Sequence, residues 1–398
     1  MDPEDLPALY ESLCTTKETS VKLWWLNDTT KSDEVTLDDN GVRNSLQTIR
    51  ASVIQSSTIE DVNRQFVLVS STGDPAYKNK PLRVARNTLV AILDACEFPS
   101  YTLVSCGVKR FHLSHNVQYG DKDEPVALIL LLRIPRNSQS INVVMRIRLC
   151  DLATVCFFTT MKEETGQGLI EKCSERSHLL KVHPLYFLAL VFEERCLEYK
   201  EWFDKILEEI NVVESATGMT RATWRVKLSD TLMDWFSDYD NLLRTLYAIH
   251  TELSHFDTVT TFSIKIGKFL LKVLELSEDL RVESGHERMS KREYGTLQQR
   301  IQFSLSRCEL SSDKTREMLE RVKGQINVAF SLVSQRDSKI NLAVAEDSRH
   351  VAILAARDSE TMKTITVLTL LFLPSSLVTI GQPSFVIFSF QPWLLNYE

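Results

Sequence analysis

Apolar and polar positions in the first part of the chain follow the patterns of strands and short helices. Residues 126–134 (VALILLLRI) form one apolar, branched run, which predicts a buried strand. After the polar segment 135–138, residues 141–149 alternate, with Ile141, Val143, Met145, Ile147 and Leu149 on one side and Asn142, Arg146 and Arg148 on the other. Residues 154–159 predict a further short strand. We therefore predict an α/β domain over residues 1–175 of an α+β protein.

After residue 175 the spacing of apolar residues becomes helical, and we predict a helical region over residues 176–363. It includes a helix over about 291–308 and a much longer one over about 313–363, where Gly324 is the one glycine and proline is absent. Apolar residues recur there every seven positions, at Leu319, Ile326, Val333 and Ile340. A helix of this length with a heptad seam is typical of a stalk or coiled coil.

Residues 364–398 form a distinct apolar end. Residues 364–380 carry no charge, and their 17 positions would span about 25 Å as a helix, near the lower limit for a hydrocarbon core of ~30 Å. Pro374 lies inside this stretch, where neighbouring membrane helices tolerate proline. A second apolar stretch, 384–395, is too short to cross back. The pattern predicts one transmembrane segment at about 364–380 and a short apolar tail.

Charges flank this segment on one side only. Arg349, Arg357 and Lys363 precede it, and Lys363 is the last cationic residue of the chain. Because cytoplasmic flanks of membrane helices are enriched in Lys and Arg, we expect the N-terminal bulk in the cytoplasm, with Arg357 and Lys363 at the cytoplasmic membrane boundary. The competing interpretation is a soluble helical scaffold in which the apolar segment is a buried helix.

Composition narrows the function classes further. The 46 Lys and Arg against 53 Asp and Glu give a net charge of −7, which argues against a nucleic-acid partner because phosphate binding depends on clustered cations. The eight cysteines have no paired spacing, which predicts reduced thiols. No P-loop, GxSxG, HExxH or GxGxxG motif is present, so we predict no enzyme and no resident cofactor.

Two weak metal-site candidates remain. His112 and His115 lie in an HLSH segment, and Asp234, Asp238 and Asp240 form a loose acidic group. Neither spacing fixes a third ligand or a known site. Histidines in this pattern are more often ordinary core or surface residues than metal ligands. Acidic residues in this pattern more often form the solvated face of a helix.

Residues 335–379 (QRDSKINLAVAEDSRHVAILAARDSETMKTITVLTLLFLPSSLVT) closely resemble the end of the stalk helix and the first transmembrane helix of fungal CorA-like divalent-cation transporters. The most diagnostic parts are AEDSR (345–349), RDSETMK (357–363) and the run TVLTLLFLP that ends at Pro374. Residues 183–194 (HPLYFLALVFEE) are also similar to the helical region of that family.

The resemblance implies a cytoplasmic α/β domain, a long helix that descends to the membrane lipid, and a pentamer around a central pore. The first transmembrane helix lines that pore in the family, which here implies lining positions at Met362, Thr366, Thr369, Leu373, Pro374 and Ser376. Transport of a divalent cation, Mg²⁺ in particular, is the implied activity, and a regulatory Mg²⁺ is possible. The partners implied are further copies of the chain or related full-length subunits.

The sequence departs from the family at its signature. The Gly-Met-Asn tripeptide of the family corresponds to Pro383, Ser384 and Phe385, and a second transmembrane helix is absent before Glu398. We therefore expect a protein of the transporter type that is impaired or non-conducting. The alternative is a single-span, membrane-anchored oligomer that acts in interaction or regulation.

Overall fold

A computed structural model describes residue Cys14 and residues 19–26, 33–51, 66–72, 82–99, 101–102, 111–134, 140–219, 227 and 238–379. At 33–36, 72 and 372–379 only the backbone is described. The chain is an α+β protein, as predicted: a mixed sheet in its first part precedes long helices.

Seven strands form one sheet in the order β2-β1-β3-β7-β6-β5-β4. Their bounds are β1 (Val21–Leu26), β2 (Asp33–Leu37), β3 (Phe66–Thr72), β4 (His112–Tyr119), β5 (Pro125–Ile134), β6 (Ile141–Arg148) and β7 (Thr154–Thr160). Among these neighbours, only β3 and β7 run parallel. Short loops join the consecutive strands β4, β5, β6 and β7, and short loops allow antiparallel pairing. A crossover helix would be needed to make consecutive strands parallel. The three strands predicted from residue 126 onward are confirmed.

The sheet is covered on both faces, and adjacent residues of one strand enter different cores. In β7, Phe157 packs against the face covered by the first two helices, while Phe158 packs against the long helices. The four predicted apolar positions of β6, and Leu149 directly after it, all face the long helices, which confirms the alternation. The opposite side of β6 is buried as well, and Arg146 donates there to Glu97 at 2.7 Å.

Seven described helices accompany the sheet. Their bounds are α1 (Asp39–Ile49), α2 (Arg86–Ala95), α3 (Glu163–Glu175), α4 (Ser177–Val182), α5 (Leu185–Thr217), α6 (Tyr239–Glu283) and α7 (Lys291–Thr379). The prediction of separate helices over 291–308 and 313–363 is wrong, because α7 is one helix of 89 residues. The intervening segment 309–312 (ELSS) contains neither proline nor glycine, and Ser312 is buried within the helix, so nothing interrupts it there.

Helices α5, α6 and α7 form a three-helix bundle. Helices α5 and α7 run in the same direction, and α6 runs against both, since Tyr239 at its start lies beside Arg336 far along α7. Gly267 of α6 allows the closest approach, because an added Cβ would lie 3.0 Å from Leu305 Cβ. Helix α5 ends at Gly218, whose φ of 71° is a left-handed conformation that glycine adopts readily.

One hydrophobic cluster joins the sheet to this bundle. Residues of the sheet such as Leu68, Met145 and Phe158 pack in the same buried cluster as Phe187 of α5, and the cluster continues to Leu297 of α7. The core therefore continues across residue 175 without a break. The predicted domain boundary at residue 175 stays a prediction.

Candidate functional site

Helix α7 is the element that carries the predicted functional residues, and its first part is firmly anchored. Arg300 donates to both carboxylate oxygens of Glu193 on α5, with Nη2 to Oε2 at 2.7 Å. This hydrogen bonding raises the pKa of Arg300 above its usual value. Farther along, Arg321 donates to the buried carboxylate of Glu214 at 3.0 and 2.7 Å. The base of α7 is thus held to α5 by two bidentate, partly buried ion pairs.

The heptad seam of α7 changes partners along its length. Val322 and Ala329 are fully buried against α5 and α6, and Leu319 and Ile326 are partly buried with them. The first part of the predicted stalk seam therefore packs within the chain's own bundle. Arg336, whose guanidinium lies 5.8 Å from the ring of Tyr239, marks the end of that contact.

Beyond the bundle, α7 extends alone. Every described side chain from 334 to 371 is exposed, which is a helical length of about 57 Å. Large apolar residues on this free end include Ile340, Val344, Val351 and Leu354, each about half exposed or more. Residues 364–371 also lie on the free end and do not pack into the described bundle.

The predicted pore-lining residues lie on this free end, and the structure describes the side chains of three of them. Met362, Thr366 and Thr369 are exposed positions of α7 spaced by four and three residues, which brings them to one side of the helix. Leu373, Pro374 and Ser376 belong to the helical backbone, and their side chains lie outside the described residues. The predicted boundary residues Arg357 and Lys363 are exposed on the same helix. Residues 380–398, including Pro383, Ser384 and Phe385, lie outside the described part.

The threonine hydroxyls of the predicted span are satisfied within the helix itself. Thr366 donates to the carbonyl of Met362 at 2.7 Å, and Thr369 donates to that of Ile365 at 2.5 Å. Thr364 donates in the same way to Glu360. A hydroxyl bonded to the carbonyl four residues earlier needs no water, so these threonines are compatible with an apolar environment.

A line of positions along the free end includes two carboxylates that the sequence analysis missed. Continuing the heptad spacing from Ile340 gives Val344, Asp347, Val351, Leu354 and Asp358. On a straight helix, Met362 and Thr369 follow about six and eight turns after Ile340 and so extend this line. The sequence analysis considered only the apolar residues of the heptad repeat. Including the polar residues at the same heptad positions identifies Asp347 and Asp358.

Both weak metal-site candidates have structural explanations. His112 and His115 are three residues apart on β4 and therefore point to opposite faces of the sheet. His112 Nε2 lies 2.9 Å from Ser114 Oγ, and the His115 ring packs near Phe269. Asp238 caps α6 by accepting from the backbone N–H of Asp240, while Asp234 lies outside the described residues. Across the described residues, no three His, Cys, Asp or Glu side chains gather to hold a metal ion.

The cysteines that the structure describes are free thiols, as the sequence predicts. Six of the seven are buried, and Cys150 is exposed. Cys106 lies outside the described part. The proximity of Cys196 and Cys308 was not predictable from their spacing, because they lie 112 positions apart in the chain.

Within the part of the chain that the structure describes, no helix is both long enough and apolar enough to cross a membrane. The predicted span at 364–380 extends past the last described side chain, Leu371, and stays a prediction. Compared with known proteins, the sequence matches no family model and no curated protein.

Proposed function

We propose that the chain is a CorA-like membrane protein of the divalent metal ion (Mg²⁺) transport type, in which copies assemble through the free end of α7. Residues 364–380 anchor the assembly in the membrane, and the N-terminal bulk lies in the cytoplasm. The observation that carries the proposal is the free end itself, a helix exposed on all sides from residue 334 to residue 371.

An isolated helix with exposed apolar side chains is poorly stable in water, because most helical stability in proteins comes from packing of an apolar face. Val351 is 65% exposed and Leu354 is 60% exposed on the same line of the free end. Packing this line against the same line of other copies would bury these side chains. The heptad spacing is the one that lets several helices pack along a common axis.

The two carboxylates of this line connect the assembly to cations. If copies of α7 surround a common axis, Asp347 and Asp358 of every copy face that axis. Carboxylates brought together in this way repel one another unless a cation lies between them. Mg²⁺ is a hard cation that takes oxygen ligands and retains its waters, which suits a ring of carboxylates. We therefore propose a divalent cation as a partner of the assembled stalk.

The first test is assembly in detergent. Replacing Val351 and Leu354 together by Glu puts charge on the proposed axis, and we expect the protein to sediment as a monomer in analytical ultracentrifugation. The matched control replaces Leu342 and Ile353 by Glu, since both are 50% exposed or more and lie off the axial line. We expect the control to retain the oligomer, and Mg²⁺ to shift it toward larger species relative to a chelator. Equal loss of assembly in both variants would contradict the axial packing.

Conduction is a separate part of the proposal. Pro383, Ser384 and Phe385 stand where the family it resembles has its Gly-Met-Asn signature, so we propose that the chain is impaired or non-conducting. We expect purified chain in lipid vesicles loaded with a Mg²⁺ indicator to take up no more Mg²⁺ than empty vesicles. That result would favour the second candidate function, a membrane-anchored interaction or regulatory subunit. Uptake above the empty vesicles would show that the chain conducts.

A further inference from the structure

Two cysteines meet where α5 packs against α7. The Sγ atoms of Cys196 and Cys308 lie 3.3 Å apart, and both side chains are buried. The Sγ of Cys196 also donates to the carbonyl of Ser304 at 3.7 Å. The pair lies between the Glu193–Arg300 and Glu214–Arg321 ion pairs that hold the two helices in register.

A cavity of about 160 Å³ lies beside these two cysteines. Cys196 and Cys308 both line it, together with the cationic residues Lys200 and Arg307. Since a water takes about 30 Å³ in the liquid, the cavity has room for a few molecules of water size. Hydrogen peroxide is of that size, whereas a tripeptide disulfide is not.

We propose that Cys196 and Cys308 form a reversible dithiol–disulfide pair that hydrogen peroxide oxidises, joining α5 covalently to α7. A disulfide has its sulfurs about 2.05 Å apart, so the two Sγ atoms need to approach by little more than 1 Å.

The oxidation balances in two steps. The thiolate of one cysteine attacks an oxygen of hydrogen peroxide, the O–O bond breaks, and the hydroxide that leaves takes a proton to become water. The sulfenic acid that results is attacked by the second thiolate, the S–S bond forms, and the S–O bond breaks to release a second water. Both thiol protons end in water, the two sulfurs are oxidised by two electrons in total, and one peroxide is reduced.

The surroundings of Cys196 make this a slow reaction. The hydrogen bond with Cys308, followed by burial, raises the pKa of Cys196 above its usual range, while Arg307 lowers it. The thiol form therefore predominates at neutral pH, and the thiolate is the reactive species. We expect the pair to respond to sustained rather than brief exposure to peroxide.

The disulfide would close a loop of 112 residues and fix the base of α7 against α5. Restriction of the unfolded chain by so long a loop favours the folded state. We expect the midpoint of thermal unfolding to rise by roughly 3–6 °C on oxidation.

Peptide mapping tests the proposal directly on the full-length chain. A Cys150→Ser background removes the exposed thiol; after peroxide treatment, free thiols are blocked with N-ethylmaleimide and the protein is digested with trypsin. Cleavage after Arg195, Lys200, Arg307 and Lys314 releases peptides 196–200 and 308–314. We expect the two to be recovered as one linked species that dithiothreitol separates. Recovery of both as maleimide adducts, or as sulfinic acids with no linked species, would overturn the proposal.

A second variant separates the disulfide from general oxidation. With Cys308→Ser added, we expect the rise in thermal midpoint to disappear and Cys196 to be trapped as a sulfenic acid when the oxidised protein is unfolded in urea that contains dimedone. A rise of the same size in this variant would contradict the assignment of the stabilisation to this pair. The mapping result on the chain that keeps both cysteines stands whether or not the serine variant folds.

Discussion

Replacement of Phe187 by Ala is expected to reduce the free energy of unfolding by about 3–5 kcal/mol. Phe187 is fully buried at the start of α5, and its ring centroid lies 5.7 Å from that of Phe158 and 6.0 Å from that of Phe66. These partners belong to β7 and β3, the one parallel pair of the sheet. Truncation leaves a cavity between the sheet and the helical bundle that close packing on both sides cannot fill. Equilibrium unfolding in urea, followed by circular dichroism, measures the change.

Phe303→Ala is the matched control, because Phe303 is a phenylalanine on α7 that is 67% exposed. We expect it to change the free energy of unfolding by no more than about 0.5 kcal/mol. If Phe187→Ala were no more destabilising than Phe303→Ala, the single core that joins sheet and bundle would be contradicted.

Local patterns were enough to predict strands β5, β6 and β7 but not the arrangement of the sheet. The alternation of β6 identifies its apolar face because side chains on a strand point to opposite sides in turn. The same pattern does not reveal that the face with Arg146 is also buried, since Glu97, its ion-pair partner, is distant in the sequence. The pairing of β3 with β7 likewise depends on contacts between residues almost 90 positions apart, such as Phe66 and Thr154.

The long helix shows the same limit. The sequence predicts its heptad spacing and its course over 313–363, but not that it is continuous with the helix that begins at Lys291. Periodicity shows that a face is apolar but not what covers it. Val322 and Ala329 are covered by the chain's own helices, whereas Val351 and Leu354 of the same series are exposed. The end of α5 at Thr217 and the start of α6 at Tyr239 lie beside the middle of α7, and their positions decide where the intramolecular partner stops.

Replacement of Leu368 and Leu371 by Arg is expected to release the protein from membranes. Both leucines are exposed on α7 within the predicted span, at 47% and 70%. An Arg at the centre of a membrane helix costs about 2.5–3.5 kcal/mol, so two reduce partitioning by roughly three to five orders of magnitude. A chain that ends at Lys363 should behave in the same way, because it lacks the apolar segment altogether. Extraction of membranes with alkaline carbonate, followed by immunoblotting of pellet and supernatant, measures the distribution.

The control places the same two charges outside the span. Leu342→Arg with Ile353→Arg adds arginines to exposed apolar positions of the free end that precede Lys363. We expect this variant to remain in the pellet, because the cationic flank of a membrane helix tolerates further cations on the cytoplasmic side. If the chain that ends at Lys363 stayed in the pellet as completely as the full-length protein, residues 364–380 would not be the anchor. The membrane part of the proposed function would then fail, while the packing of the stalk around Val351 and Leu354 would remain open to its own test.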